Sequence, residues 1–282
     1  MDSQADRERA GARAITDSYR KMAYDGVAVG PLDLAAGVEF LRENESAGLP
    51  WISANIYNHD GTRTFPPFRS IERAGLKIGV IALTDVGKQQ YSDIVIGNWE
   101  PELEQLLPSM ALAHDLVILL TTLPYSAVTK ISSEFPDVKI IVGADRKKGN
   151  VNGFVSKHAL FVQTADQGKY LGRLSVHWNG QPWGEDHVKK LLALRNNQMT
   201  ITRQLIQLKR IREKDNSAYQ RKKAALEQKQ IDVDEQIKQL EATIETASAP
   251  ASASSFSTAI IPLTPATPED LEIRKIIDSV KN

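Results

Sequence analysis

Apolar residues follow two different spacings along the first 184 residues of the chain. Where they recur every three or four positions, the spacing predicts amphipathic helices, over 4–23, 34–44, 101–113 and 125–135. Short unbroken apolar runs are typical of buried strands and lie at 26–30, 51–56, 77–83, 115–121 and 138–142. Hairpin patterns follow at 68–83 and, as three antiparallel strands, at 154–155, 160–163 and 170–178. Together these elements predict an α/β domain with a mixed sheet flanked by helices.

A different pattern begins after Trp183. Residues 185–246 contain neither Gly nor Pro and are rich in good helix formers. Apolar residues at helical spacing run from Leu191 to Leu208 and again from Leu226 to Ile244. Residues 214–217 between them are typical of a turn, with Ser217 capping the second helix. This segment predicts an antiparallel helical hairpin, and a single long helix that dimerises is the alternative.

The last segment, 247–282, predicts a linker and a short tail. Residues 247–258 are mostly Ala and Ser, which is typical of a flexible linker. Residues 259–263 are expected to form an edge strand or to lie on the surface. Thr267 and Pro268 then predict the cap and first residue of a last helix. The chain therefore divides into a domain at 1–184, a hairpin at 185–246 and a tail at 247–282.

The amino-acid composition argues against several kinds of function. Lys plus Arg and Asp plus Glu both number 35, so no net charge draws the chain to nucleic acid. The Lys and Arg residues crowded into 203–223 are read as a solvated helix face. Absence of Cys excludes disulfides, thiolate zinc sites and covalent haem. The charged N-terminus shows no signal peptide, and no apolar run is long enough for membrane insertion.

Several blocks of the sequence, in order, resemble periplasmic 5′-nucleotidases, which are calcineurin-like metallophosphatases. The segment YDGVAVG at 24–30 is similar to that family's YDAVAVGNHEFDYG, and LPWISANI at 49–56 to its PFLSANI. GLKIGVIALT at 75–84 and GKYLGRL at 168–174 match further blocks. The resemblance covers 19–178 and implies the family's mixed sheet or sandwich flanked by helices. It also implies that the family's first strand would lie before residue 1.

The resemblance implies a two-metal centre, because that family uses two divalent ions to clamp phosphate and activate water. The family's ligand positions carry other residues here. Pro31 stands in place of an Asn ligand, and Leu32 in place of a His that stabilises the transition state. Ala35 replaces the Asp that orients this His.

Two further ligand segments are changed as well. Thr122 stands where the family has a His ligand, and Asp145 and Lys147 stand where it has two more. Asp145 retains a carboxylate, but its neighbours Arg146, Lys147 and Lys148 would repel a cation. The five His residues are scattered, without the spacing of a metal motif. We therefore predict no catalytic, cofactor or metal site, and treat Pro31, Leu32, Ala35, Thr122, Asp145 and Lys147 as vestigial positions.

These observations predict a non-catalytic binding or scaffold protein that associates, with itself or with another protein, through 185–246. The alternative is a residual metal-dependent phosphoesterase acting on nucleotides or phosphomonoesters. A third reading is that the hairpin only covers a sheet edge. The tail, from IIPL at 260–263 to IRKIIDSVKN, is similar to a bacterial subgroup associated with multihaem c-type cytochromes. The resemblance implies a periplasmic or cell-surface location and such a cytochrome as a candidate partner.

Overall fold

The computed structural model describes residues 4–87, 91–184, 187–209, 217–246 and 253–280. By contacts the chain divides into two compact units, one of residues 1–183 with 254–282 and one of residues 184–253. The helices are α1 (Gln4–Met22), α2 (Val38–Ser46), α3 (Trp99–Ala113), α4 (Tyr125–Glu134), α5 (His187–Lys209), α6 (Ser217–Thr246) and α7 (Leu271–Asp278). A 3₁₀ turn at Asp33–Ala36 precedes α2. Each described helix is too short or too polar to span a lipid bilayer.

The strands of the first unit form one large sheet and three small ones. Chain order gives β1 (Val27–Ala28), β2 (Trp51–Ile52), β3 (Ile56–Asn58), β4 (Phe68–Arg73), β5 (Leu76–Leu83), β6 (Ile94–Ile96), β7 (Leu116–Thr121), β8 (Val138–Gly143), β9 (Val151–Ser156), β10 (Ala159–Gln163), β11 (Tyr170–His177) and β12 (Ser255–Pro262). The large sheet has the order β4-β5-β7-β8-β10-β9. Its central strands β5, β7, β8 and β10 are parallel, and β4 and β9 pair antiparallel at the edges. The predicted α/β fold with a mixed sheet is confirmed.

Both faces of the large sheet are covered. On one face, α3 and α4 pack onto β5, β7 and β8, around buried residues such as Leu103, Leu119 and Ile131. On the other face, Trp178, Trp183 and Phe256 pack against residues of β7, β8 and β10. The short parallel pair β1-β2 also lies on this second face, where Ile52 contacts the cluster of Val80 and Ala82. The layers produce a sandwich whose core lies on both sides of the central strands.

Two predicted elements are divided in the structure. The helix predicted at 34–44 is a 3₁₀ turn followed by α2, because Gly37 between them has a φ of +89°, which a helix cannot contain. The strand predicted at 51–56 is split into β2 and β3. Between these two strands the Ser53 and Ala54 amides donate to the carbonyls of Pro66 and Ala82, and the side chains of Ser53 and Asn55 hydrogen bond to Thr84.

The prediction of three antiparallel strands at 154–178 is partly wrong. β9 and β10 pair antiparallel within the large sheet, but β11 pairs instead with β12, which lies far along the chain. The two strands pair over eight residues, from Tyr170 opposite Pro262 to His177 opposite Ser255, and so join parts of the chain that are far apart in sequence. Residues 255–258, predicted as part of a flexible linker, are therefore strand. Residues 247–252 lie outside the described part of the chain.

The tail helix begins later than predicted. Asp270, not Thr267, caps α7, because its Oδ1 accepts hydrogen bonds from the Glu272 and Ile273 amides. Thr267 Oγ1 instead accepts from the Thr264 N–H and closes a turn. Thr and Asp are both favoured N-cap residues, so the residue type does not decide which of them caps the helix. The path of the backbone decides it.

The second unit is a pair of helices, α5 and α6. Arg195 contacts Glu241 at 2.7 Å and Gln198 contacts Asp234 at 2.6 Å, so the two helices run antiparallel. Their shared core contains Ile201, Leu208, Leu226, Val233 and Ile237. The turn predicted at 214–217 lies outside the described residues, except for Ser217.

We expect Leu119→Ala to lower the free energy of unfolding of the first unit by about 2–5 kcal/mol. Leu119 is fully buried on the central strand β7, so its removal leaves a cavity. The matched control is Leu112→Ala, because Leu112 is 91% exposed on α3, and it should change stability by less than about 0.5 kcal/mol. Urea unfolding followed by Trp fluorescence measures both, since Trp51, Trp99, Trp178 and Trp183 all lie in the first unit. Equal stability of the two variants would contradict the placement of β7.

Candidate functional site

The candidate site lies where the parallel strands of the large sheet end. In open α/β sheets, ligands bind outside the carboxyl ends of the strands. Here the strands β5, β7, β8 and β10 end in polar residues at the same edge: Thr84, Asp85, Thr121, Thr122, Asp145 and Gln163. The ends of β1 and β2 reach the same place, because Thr84 Oγ1 contacts both the Val29 carbonyl and Ser53 Oγ.

A buried hydrogen-bond network fixes the first part of this edge. Ser53, Asn55 and Thr84 are each fully buried. Asn55 accepts from the Thr84 N–H at 2.8 Å and donates to the carbonyl oxygens of Thr84 and Gly97 at 2.8 and 3.0 Å. Thr84 Oγ1 donates to Val29 O at 2.6 Å, so Ser53 Oγ–H donates to Thr84 Oγ1 at 2.9 Å. These side chains stabilise the strand ends and have no free donor for a ligand.

The segment after β1 forms a tight turn around Asp33. The Gly30 N–H donates to Asp33 Oδ2 at 2.8 Å, and the Asp33 N–H donates to the Gly30 carbonyl at 3.1 Å. Gly30 has little room for a side chain, since a Cβ would lie 3.3 Å from both Asp33 Oδ2 and Thr122 Cγ2. The structure therefore brings Gly30, Asp33 and Thr122 together.

The three vestigial positions of this turn offer no ligand atom at their side chains. The carbonyl oxygen of Pro31 accepts a hydrogen bond from the Tyr91 hydroxyl at 3.2 Å. Leu32 is 67% exposed, and Ala35 is exposed as well. Thr122, on the neighbouring strand end, accepts through Oγ1 from the Asp85 N–H at 2.8 Å.

Both oxygens of the Asp145 carboxylate accept backbone hydrogen bonds. Oδ2 accepts from the Tyr125 N–H at the start of α4, at 3.1 Å, and Oδ1 accepts from the Lys147 N–H at 2.9 Å. Gln163 holds the same loop by accepting from the Asp145 N–H and donating to carbonyls of Asp145 and Lys148. Asp145 is therefore a structural residue that connects the loop to a helix start.

The loop that Asp145 begins is basic. Lys148 Nζ lies 3.6 Å from the centre of the Tyr125 ring, which is a cation–π contact. Arg146 and Lys147 are exposed, and Arg146 Nε lies 3.9 Å from Asp166 Oδ2. Positive charge therefore surrounds the one carboxylate that stands at a family ligand position.

These residues do not fit a centre of two divalent ions. Such ions require imidazole, carboxylate or carboxamide ligands. Side chains at the vestigial positions supply only the Thr122 hydroxyl and the Asp145 carboxylate, and Lys147 adds a positive charge. Within the described ranges, the structure gathers no group of three or more His, Cys, Asp or Glu residues.

The sequence patterns did not identify Asp33 as a residue of the candidate site. Burial raises the pKa of its carboxyl above the ordinary value of 3.8, against the opposing effect of the Gly30 and Asp33 amides. Burial also raises the pKa of Tyr19, and the nearby charge of Asp33 adds to this shift. The available signal was an acid three residues after the strand predicted at 26–30. Asn55, Thr84 and Gln163 gave the same signal as polar residues at the ends of apolar strands.

Comparison with known proteins identifies the fold. No family model matches the chain. A 66-residue segment is 39% identical to a 5′-nucleotidase of Vibrio cholerae, and covers 23% of this chain and 12% of that protein. Among solved structures, the sulfate thiohydrolase SoxB of Thermus thermophilus, in complex with glycerol, matches 59% of this chain and 32% of its own, with 14% identity and a TM-score of 0.54. A 5′-nucleotidase precursor of Thermus thermophilus matches 60% and 39%, with 20% identity and a TM-score of 0.51.

The chain is therefore similar to 5′-nucleotidases over part of their length. Its large sheet and flanking helices have the fold of the N-terminal, metallophosphatase-like domain of 5′-nucleotidases, so the resemblance of its sequence blocks to those proteins is confirmed. The resemblance of the tail to a cytochrome-associated subgroup stays a prediction. The chain spans only about a third of the solved structures reported above, and the matched segment about an eighth of the Vibrio cholerae protein.

We expect Asp33→Asn to stabilise the protein at pH 7. Because the folded chain raises the pKa of Asp33, the folded state binds the proton more tightly than the unfolded state. The wild type therefore loses stability as pH rises from 3.8 through the raised pKa, and the variant does not. Asn retains an oxygen that can accept from the Gly30 amide.

Urea unfolding of both proteins between pH 3 and pH 7, followed by Trp fluorescence, measures this difference. The advantage of the variant should shrink towards pH 3, where both side chains are neutral. A variant that is less stable at pH 7 than at pH 3, relative to the wild type, would contradict the burial of this carboxyl.

Proposed function

We propose that the chain is a non-catalytic, 5′-nucleotidase-like binding or scaffold protein. The observation that carries the proposal is that polar side chains at the carboxyl edge of the sheet hydrogen bond to other groups of the same chain. Pro31 and Leu32 offer no side-chain lone pair, and both oxygens of Asp145 accept backbone hydrogen bonds. A phosphatase that works through two metal ions needs several side-chain donors around each cation, and the single carboxylate of Asp145 cannot supply them.

The second candidate function is a residual metal-dependent phosphoesterase acting on nucleotides or phosphomonoesters. The name of the Vibrio cholerae relative, a 5′-nucleotidase, favours it. It requires ligands that another chain or further sequence would supply, in the neighbourhood of Leu32, Thr122 and Asp145. It therefore predicts divalent metal at the carboxyl edge, whereas the scaffold proposal predicts none.

We expect purified protein to show no Mn²⁺ binding by calorimetry and no release of phosphate from AMP or p-nitrophenyl phosphate. The reason is the absence of suitable side-chain donors at the vestigial positions. Bound Mn²⁺ with turnover that Asp145→Asn abolishes would establish the second function instead. Asp137→Asn is the matched control, because Asp137 is an exposed acid before β8 and should leave any such activity unchanged.

The helical pair of the second unit is the proposed association surface. Met199 and Ile206 on α5 are 51% and 49% exposed, and Ile231 on α6 is 62% exposed. Met199 and Ile206 are seven residues apart, so they share one side of α5. Helical spacing puts them opposite Ile201 and Leu208, which α6 already buries. Two exposed apolar side chains therefore remain on this side of α5, next to the exposed Arg195 and Arg203.

The compartment and the partner follow from the same proposal. The resemblance to 5′-nucleotidases supports a periplasmic or cell-surface location. The tail resemblance supports a multihaem cytochrome as the candidate partner in that compartment. We propose no nucleic-acid partner and no insertion into a membrane.

We expect the double variant Met199→Lys, Ile206→Lys to lose self-association, because two charges replace the two exposed apolar side chains of α5. Light scattering coupled to gel filtration measures the oligomeric state, and circular dichroism checks that helix content is unchanged. The control Gln207→Lys adds a charge at another exposed position of α5 and should have no effect. If the wild-type chain is monomeric at all concentrations, self-association is contradicted. Association through this surface would then have to be with a different protein.

A further inference from the structure

A groove of about 640 Å³ lies between the edge strand β4 and the last turn of α3. Ser70, Ser109, His114 and Lys77 contribute to its walls. Ser70 is exposed on β4, an outer strand of the large sheet. His114 follows α3 directly and precedes β7, so the groove opens away from the carboxyl ends of the strands.

Ser70 and His114 are hydrogen bonded in a defined direction. Ser70 Oγ lies 2.7 Å from His114 Nε2, and His114 Nδ1 lies 2.9 Å from the carbonyl oxygen of Met110. A carbonyl oxygen only accepts, so Nδ1 carries the proton of the neutral ring. Nε2 therefore has a free lone pair, and the Ser70 hydroxyl donates to it.

The fold makes room for this imidazole at one glycine. Gly79 on β5 pairs directly with Ser70 on β4. A Cβ at Gly79 would overlap Met110 Cε and lie 3.1 Å from His114 Cγ and Nδ1. The Phe68 ring contacts the imidazole edge-on, with centroids 6.3 Å apart. The ring is therefore held over the sheet, with Nε2 directed at the serine.

We propose that Ser70 is a nucleophile and His114 its general base, for acyl transfer from small carboxylic esters. A nucleophile within hydrogen-bond reach of a base, which a third group orients, is the arrangement that activates serine in hydrolases. The Met110 carbonyl is the orienting group. This proposal concerns a site away from the carboxyl edge, and it restricts the term non-catalytic, used for the proposed scaffold function, to metal-dependent chemistry at that edge.

The reaction has two balanced halves. Ser70 Oγ forms a bond to the ester carbonyl carbon while its proton passes to His114 Nε2. The ester C–O bond then breaks, and the leaving alkoxide takes this proton to become an alcohol. Water next attacks the acyl carbon and gives a proton to Nε2. The bond between the acyl carbon and Ser70 Oγ then breaks, Ser70 Oγ takes the proton from Nε2, and the carboxylic acid leaves. Lys77 and Glu72, which are direct cross-strand neighbours on β5 and β4, place one positive and one negative charge on the groove wall.

The test is covalent labelling of the full chain with a fluorophosphonate probe. Ser70 Oγ would form a bond to phosphorus and displace fluoride, and the proton would pass to His114 and then to solvent. We expect the phosphonyl group on the peptide that contains Ser70, as mapped by mass spectrometry. Ser70→Ala should lose the label, and His114→Gln should slow labelling by about 100-fold or more, because the general base is removed.

The same groove provides a matched control. Ser109 also lines it, but its hydroxyl donates to the Leu106 carbonyl at 2.9 Å, so Ser109→Ala should label at the wild-type rate. Thermal unfolding checks that each variant is folded. Absence of label on wild-type Ser70, or equal labelling rates for wild type and a folded His114→Gln, would show that the contact only ties β4 to α3 and would overturn the proposal.

Discussion

Backbone groups at the ends of buried strands must be hydrogen bonded, and this constraint explains most of the carboxyl edge. A strand that leaves a sheet exposes N–H and C=O groups that no neighbouring strand satisfies. In this chain Asn55, Thr84, Asp145 and Gln163 satisfy them with their side chains. In a metallophosphatase the side chains at this edge would have to serve two cations. Here these four side chains hydrogen bond to backbone groups at the strand ends and stabilise the edge of the sheet.

Much of the architecture was accessible from the sequence, because periodicity reports burial. The apolar runs of β5, β7 and β8 predicted central strands correctly, since both of their faces are covered. The hairpin at 68–83 was also predicted correctly, and Gly75 suits its turn because it adopts a positive φ of 79°. The division of 51–56 was not predictable, because side-chain hydrogen bonds decide it and periodicity does not report them.

The candidate site, too, could be predicted only in part from the sequence. Family motifs located Pro31, Leu32, Thr122 and Asp145 at one edge, as the strand ends place them. They did not reveal that Asp145 caps the start of α4 or that Gly30 and Asp33 form a closed turn. Pairing of β11 with β12 was equally hidden, because its partners are separated by the whole helical pair and no local pattern links them.

This long-range pairing has a consequence for how the chain folds. Closing a loop costs entropy that grows with the logarithm of its length. The contacts between α5 and α6 are nearer in sequence than those of β11 with β12, so the helices can pair first. Once they do, Trp183 and Ser254, which pair as an isolated bridge, are joined by a compact spacer and not by a long free chain. Because α5 and α6 run antiparallel, their pairing brings the start of α5 and the end of α6 to the same end of the pair. We therefore expect it to lower the entropy cost of pairing β11 with β12.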